Sequence, residues 1–250
     1  MMQTSNASLY GKGIFSTIAF SSGKAFLWEK HWRRLTDNAA KVGVDIAEHN
    51  EQSTRDALDD AITTSGVTDG RARVTFLDES PSEIWTKGGE RKTTLSIIVG
   101  GRRSVPKPFK LTVSPYQVNS SSPLAGVKSC NYLDNILALD EASTRGFHES
   151  VRVNERGHVT SACVANIFWL KDGQLFTPAL STGCLAGATR EFVLENIDCE
   201  EVEVAIKELN DADAIFLTSA GLGIVAVAEF DRRCLSSSDH PITNLLSTQT

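Results

Sequence analysis

Residues 111–133 of this chain carry a single charge, Lys128, set in Pro123-Leu-Ala-Gly-Val-Lys-Ser-Cys-Asn-Tyr-Leu133. Three further stretches are equally poor in charge. Residues 157–170 and 181–189 contain no Asp, Glu, Lys or Arg, and residues 218–223 are Thr-Ser-Ala-Gly-Leu-Gly. Any fold of this chain has to bury such segments or wrap them around a ligand. A lysine among them has two readings. Burial disfavours the ammonium form and lowers the pKa, which makes a nucleophilic amine at neutral pH. Alternatively the stem covers apolar surface while the head stays in water. Gly187-Ala188-Thr189 opens a helical run and leaves unobstructed N–H groups suited to a phosphate; it is equally read as a plain helix start with Thr189 as N-cap. Residues 218–223 are either a second phosphate-touching loop or a tight turn.

Composition narrows the function classes. The 250 residues hold 25 Lys plus Arg against 31 Asp plus Glu, a formal charge of −6, which speaks against nucleic-acid binding. No stretch approaches the roughly 20 apolar residues of a membrane span, and the polar first ten residues are unlike a signal peptide. The five cysteines are scattered without a Cys-x-x-Cys pair, and the five histidines form no His-Glu-x-x-His motif, so no metal site is expected. A reduced, cytoplasmic compartment is the simplest reading. His31 reads as structural.

Periodicity predicts a mixed chain. A glycine turn at Tyr10-Gly-Lys-Gly feeds a strand to Phe20. Leu35, Ala39 and Val42 share a helix face over residues 28–42, with Gly43 as the stop, and a second helix covers 54–64. Strands are expected at 71–77, 93–99 and 111–114, then at 149–153, 166–170, 174–176, 201–206, 214–218 and 224–228. Helices are expected near 132–145 and from Ala188. The polar run 119–125 reads as a linker between a small N-terminal α/β domain, 1–118, and a larger C-terminal domain, 126–250. The fold class is α+β with two domains.

In order along the chain, five segments resemble those of the class IV aminotransferases, the fold-type IV enzymes that use pyridoxal 5′-phosphate (PLP). They are Tyr10-Gly-Lys-Gly-Ile-Phe-Ser-Thr-Ile18, His31-Trp-Arg-Arg-Leu35, Lys128-Ser-Cys-Asn-Tyr-Leu133, Thr160-Ser-Ala-Cys-Val-Ala-Asn-Ile-Phe168, and Thr177-Pro178 followed by Leu185-Ala-Gly-Ala-Thr-Arg190. The resemblance implies a D-amino acid aminotransferase-like fold whose C-terminal domain binds PLP. It implies that Lys128 forms the Schiff base and shuttles the proton, that Arg34 clamps the phosphate, and that Tyr132 hydrogen-bonds the phenolic oxygen. Ala188 and Thr189, with Ser219 and Ala220, complete the phosphate cup. Ser161 stands at the pyridine nitrogen, and Tyr10 and Arg73 are substrate-side candidates. It further implies a homodimer acting on a small molecule, without nucleic acid or membrane.

Two departures stand out. The family usually places a Glu against the protonated pyridine nitrogen, where this chain has Ser161; either another acid replaces it or the activity is weak or altered. Only nine residues precede Tyr10, where the family carries a further strand, which reads as a shortened start. Residues 114–116, 122–128 and 163–169 look most like the 4-amino-4-deoxychorismate lyases, so the expected reaction releases 4-aminobenzoate and pyruvate. A branched-chain or D-amino-acid transaminase is the alternative, and a catalytically weak PLP-binding homologue the third. Arg71 and Arg73 alternate onto one face of an expected strand, and one of them is a candidate to face a substrate carboxylate. Arg102, Arg103, Lys107 and Lys110 form either an anion-attracting loop or a solvated surface.

Overall fold

A computed structural model describes residues 4–83, 86–87, 90–236 and 239–246. The chain divides into two compact units, Met1–Arg103 with Val127–Tyr132, and Ser104–Gly126 with Leu133–Thr250. This differs from the expected boundaries. Residues 104–118 go with the second unit, and the segment bearing Lys128 goes with the first.

The first unit contains α1 (Asn6–Tyr10), β1 (Gly13–Ser21), β2 (Lys24–Ala25), α2 (Trp28–Val42), α3 (Glu51–Ser65), β3 (Gly70–Asp78), the short pair β4 (Ser82–Glu83) and β5 (Thr86–Lys87), and β6 (Thr93–Gly101). An antiparallel sheet in the order β2-β1-β3-β6 is covered by α2 and α3. Alternation sorts its side chains. Ile14, Ile18 and Phe20 of β1, with Ala72, Val74 and Phe76 of β3, join Leu35, Leu58 and Ile62 of the helices in one core. The intervening residues, Phe15 of β1 and Arg71 and Arg73 of β3, belong to the opposite face. Gly43 ends α2 in the left-handed conformation, as the sequence predicts. Neither α1 nor β2 is visible in the sequence pattern, because each is too short to show a period.

Residues 127–132 are stitched to the free edge of β1. The Phe15 N–H donates to the Lys128 carbonyl at 2.9 Å, the Cys130 N–H donates to the Gly13 carbonyl at 2.8 Å, and Ile14 bridges Ser129. Lys128 therefore sits opposite Phe15 and shares its face. Gly13 makes this approach possible. A Cβ there would lie 2.9 Å from the Phe76 carbonyl oxygen and 3.0 Å from the Cys130 sulfur.

The second unit contains β7 (Lys110–Val113), α4 (Leu133–Thr144), β8 (Glu149–Val153), β9 (Val159–Ala162), β10 (Asn166–Lys171), β11 (Gln174–Pro178), α5 (Ala188–Asn196), β12 (Glu200–Val202), β13 (Ala214–Ser219), β14 (Gly223–Ala226), β15 (Glu229–Phe230) and β16 (Arg233–Cys234). One sheet runs β12-β11-β10-β13-β14, the other β16-β15-β7-β8-β9. Ile167 and Trp169 of β10 enter one core with Leu111, Val151, Ile215 and Leu217. Phe168 enters a second with Val193 of α5 and Phe216. The strand expected at 201–206 stops at Val202, because residues 206–211 coil into a 3₁₀ turn; the one expected at 224–228 ends at Ala226. Helix α4 packs with its small residues inward, Ala138 and Ala142 being fully buried, while Leu133, Ile136 and Leu137 are exposed.

Replacing Gly13 by Ala forces a methyl against backbone and sulfur. Gly13→Ala is expected to cost about 1–3 kcal/mol, read as a lower urea midpoint at unchanged slope. An unchanged midpoint would mean that the β1 edge relaxes freely.

Candidate active site

In the first unit the Lys128 amine lies 4.4 Å from the centre of the Phe15 ring and 4.6 Å from that of Tyr132, and it donates to the Tyr132 hydroxyl at 3.3 Å. The two rings meet edge to face. The Arg73 guanidinium stacks 3.6 Å from the centre of the Phe15 ring and donates from Nε to Thr75 Oγ1. Among the described residues neither Lys128 nor Arg73 is paired with a carboxylate. Burial, followed by the positive charges of Arg34 and Arg73, pulls the Lys128 pKa down from 10.5 to about 7. Half of the amines are thus neutral near pH 7, the condition for attack on a carbonyl.

Arg34 is aimed through its neighbours. Its Nη2 donates to the Ser16 hydroxyl at 2.7 Å, and Ser16 Oγ lies 2.8 Å from His31 Nδ1. Ser16 and His31 are buried. Burial, then the charges of Arg34 and Lys128, holds the imidazole well below its ordinary pKa. With the ring neutral and Arg34 Nη2 also 3.4 Å from Nδ1, the tautomer that fits carries its proton on Nε2; Nδ1 then accepts from Ser16, whose lone pairs receive the guanidinium. His31, read from sequence as structural, is the residue that orients Ser16. His31, Arg34, Leu35 and Asn38 follow helical spacing on α2, which brings the first two to β1.

The second unit holds the remaining candidates. Helix α5 starts after Gly187, which supplies no side-chain cap; Thr189 lies inside the helix and is not its N-cap. Gly187 has no room for a Cβ, because Asn166 Oδ1 occupies that position, and Asn166 Nδ2 donates to the Leu185 carbonyl at 2.8 Å. Asn166 pairs with Thr218 across β10 and β13. The Thr218 hydroxyl is buried without a partner among the described residues, and no hydrogen bond of the Thr189 hydroxyl is found there either. Ser219 closes a tight turn, its hydroxyl accepting from the Leu222 N–H, and Ala220 lies within that turn. An uncapped helix start and unpaired threonine hydroxyls fit a phosphate group. Thr218 enters the sequence reading only as the first residue of the charge-poor segment 218–223, and Asn166 is given no role there; inside an apolar strand each reads as a ladder residue.

Ser161 lies in β9, directly opposite Arg152 of β8. Tyr10 ends α1, where its carbonyl accepts from Asn131 Nδ2 at 3.1 Å. Two of the four basic residues at 102–110 are ion-paired, Arg102 with Asp69 and Lys110 with Glu229. No group of three or more His, Cys, Asp or Glu suited to a metal occurs among the described residues.

Residues 13–230 match the family model described as amino-transferase class IV. The chain is 25% identical to the aminodeoxychorismate lyase of Bacillus subtilis, over 95% of this chain and 84% of that one. It is 23% identical to the D-alanine aminotransferase of Listeria innocua, over 89% and 79%. The crystal structure of the branched-chain aminotransferase from Thermoproteus uzoniensis superimposes with a TM-score of 0.88 at 26% identity, over 98% of this chain and 86% of that one. The chain belongs to the class IV aminotransferase family and has its α+β, fold-type IV architecture. It is an enzyme of this PLP-dependent class.

Between pH 7 and the ordinary lysine range, the unfolded chain holds a proton at Lys128 that the folded chain has released. The contribution of this position to stability therefore rises with pH through that window. The cofactor-free Lys128→Met variant is expected to melt above the parent at pH 6, with the gap closing toward pH 10. Parallel melting profiles would place the amine in bulk water.

Proposed function

We propose that this class IV enzyme is an aminodeoxychorismate lyase, converting 4-amino-4-deoxychorismate into 4-aminobenzoate and pyruvate. The observation that carries the reading is the Lys128 amine, set over two aromatic rings beside Arg73 with a pKa of about 7. In the first unit Lys128, Arg34 and Tyr132 are the residues assigned to hold PLP. In the second they are Ser161, Ala188, Thr189, Ser219 and Ala220. The cofactor, when bound, supplies an aldehyde for the substrate amine and a ring that withdraws electrons from the adjacent carbon.

The residues of the chain do the rest. Lys128 Nζ takes the proton from the ring carbon that bears the amine. The electron pair left behind completes the aromatic ring as the C–O bond to the enolpyruvyl group breaks. Lys128 returns a proton to the methylene carbon of the released enolpyruvate, which becomes pyruvate. Substrate and products balance without water or an oxidant. Arg73, free of any carboxylate among the described residues, is the candidate partner for a substrate carboxylate. Similarity to D-alanine and branched-chain aminotransferases keeps amine transfer as the second reading.

The outward face of α4 supports a homodimer. Leu133, Ile136 and Leu137 lie at helical spacing and are 65%, 40% and 50% exposed, and the exposed Tyr116 lines the same cleft as Leu137. All five cysteines are free thiols, in keeping with a cytoplasmic setting, and no helix among the described residues is long and apolar enough to cross a membrane.

Purified protein with PLP and aminodeoxychorismate is expected to give aminobenzoate and pyruvate in equal amounts. Lys128→Ala should lower the rate by roughly 10²–10⁴-fold and abolish the visible absorbance that borohydride shifts in the parent. Keto-acid-dependent amine transfer with no aminobenzoate would decide for the transaminase. Leu133→Asp combined with Leu137→Asp should convert a sedimenting dimer into a monomer; a double variant that remains dimeric would exclude α4 as the interface.

A further inference from the structure

We propose that Ser161 and Arg152 together keep the pyridine nitrogen of the cofactor unprotonated, and that this steers the enzyme toward elimination and away from amine transfer. The inference rests on the reading above that PLP is bound with Ser161 at its pyridine edge. Three observations within the second unit support it.

Arg152 and Ser161 are partners in the antiparallel ladder of β8 and β9, in register with Val151 and Ala162 and immediately before a bulge at Arg152/Val153, so they share one face of the sheet. Arg152 is only 4% exposed. Its guanidinium is anchored by neutral acceptors alone: the Tyr116 carbonyl at 3.4 Å, the Gln117 carbonyl at 2.9 Å and Asn135 Oδ1 at 3.4 Å. No carboxylate pairs with it among the described residues. The face thus carries a buried, uncompensated positive charge. The Ser161 hydroxyl has no hydrogen-bond partner among the described residues, and its proton is available to a ligand.

Among the described residues no acid stands in for the missing Glu. Glu149, the buried carboxylate of β8, is three residues from Arg152 and falls on the other side of the strand alternation. Its oxygens accept from the N–H groups of Ser150, Cys163 and Val164 at 3.1, 2.9 and 2.8 Å. Asp134 of α4 lines the same cleft as Arg152 but is solvent-exposed and makes no ion pair with it. The Cys163 thiol, against Ser150, stays protonated because burial and Glu149 push it up to about 12.

A carboxylate beside a pyridine stabilises the protonated ring, whereas a guanidinium destabilises it, and burial limits the screening. The serine hydroxyl then donates to the nitrogen lone pair. The consequence for chemistry lies in the electron pair left when Lys128 removes the proton. Amine transfer must store that pair in the cofactor ring until a proton returns there, which requires a strongly electron-withdrawing, protonated ring. Elimination needs no such store, because the pair forms the new aromatic double bond while the C–O electrons leave with the enolpyruvate oxygen.

The test is nitrogen NMR on the holoenzyme loaded with PLP labelled with ¹⁵N in the ring. The parent is expected to show the shift of a neutral pyridine across the neutral pH range. Ser161→Glu should move it toward the protonated value and raise the ratio of amine transfer to elimination by about tenfold or more. Arg152→Met should move the shift in the same direction, and Arg152→Lys should retain the neutral signature. A protonated nitrogen in the parent would overturn the proposal and leave the cofactor assignment intact. Failure of the parent to bind PLP at all would overturn both.

Discussion

One amine organises this molecule. Lys128 is placed by main-chain pairing of residues 127–132 with β1, and not by a flexible loop. Its Cα position is therefore as fixed as that of a sheet residue, and the side chain has Phe15 directly opposite. Two guanidiniums act on it, Arg34 through charge and Arg73 through charge and a shared aromatic ring, Phe15. Burial and repulsion act in one direction on its proton, while the faces of Phe15 and Tyr132 favour the cation. Burial and the two guanidiniums lower the pKa to about 7, which gives an amine able to release and accept protons near neutrality.

The same unit shows how a positive site persists in a chain of net charge −6. Charge is local. Glu149 and Asp78 are buried in strands, but neither is paired with Lys128 or Arg73, whereas Arg34, Arg73 and Lys128 converge by strand register and helix spacing. Ser16 is the hinge of that convergence. It occupies a core-facing position of β1 where Ile14 and Ile18 are apolar, and a hydroxyl is tolerated there because Arg34 and a neutral His31 satisfy both of its roles. Removing any one of the three leaves a buried polar group unmatched.

Much of this was legible in the sequence, and for a definite reason. Local patterns reported local facts: the α2 face with its Gly43 stop, the β8 limits, and the charge-poor segments that carry Lys128, Thr189 and Ser219. Non-local pairing was not legible. Lys128 was assigned to the C-terminal domain because it follows a linker, but the structure gives it to the first unit through hydrogen bonds to residues more than a hundred positions away. Thr189 read as a cap because threonine favours that position; Gly187 takes it instead, since Asn166 leaves no space for a side chain. Arg152 could not be read as special, because a basic residue in an alternating strand looks like a solvated one until the register shows what lies across from it.

The groups that cost stability in the second unit share one character. Arg152 holds a buried charge on neutral acceptors, the Thr218 hydroxyl is buried and unpaired, and Ser161 offers a proton that the protein does not accept. Of these, the buried Thr218 hydroxyl departs from the rule that buried polar groups are matched within the fold, Arg152 is hydrogen-bonded but lacks a counter-charge, and Ser161 is half-buried; features of this kind persist where function offsets them. The apolar cores are not where these costs fall: Trp169, Phe168 and Phe216 fill both faces of the central sheet and are almost fully buried. The scaffold can therefore carry a strained polar surface. Under the proposal above, the identity of one residue on that surface, serine where a carboxylate would compensate the arginine opposite, changes what a bound cofactor can do with an electron pair.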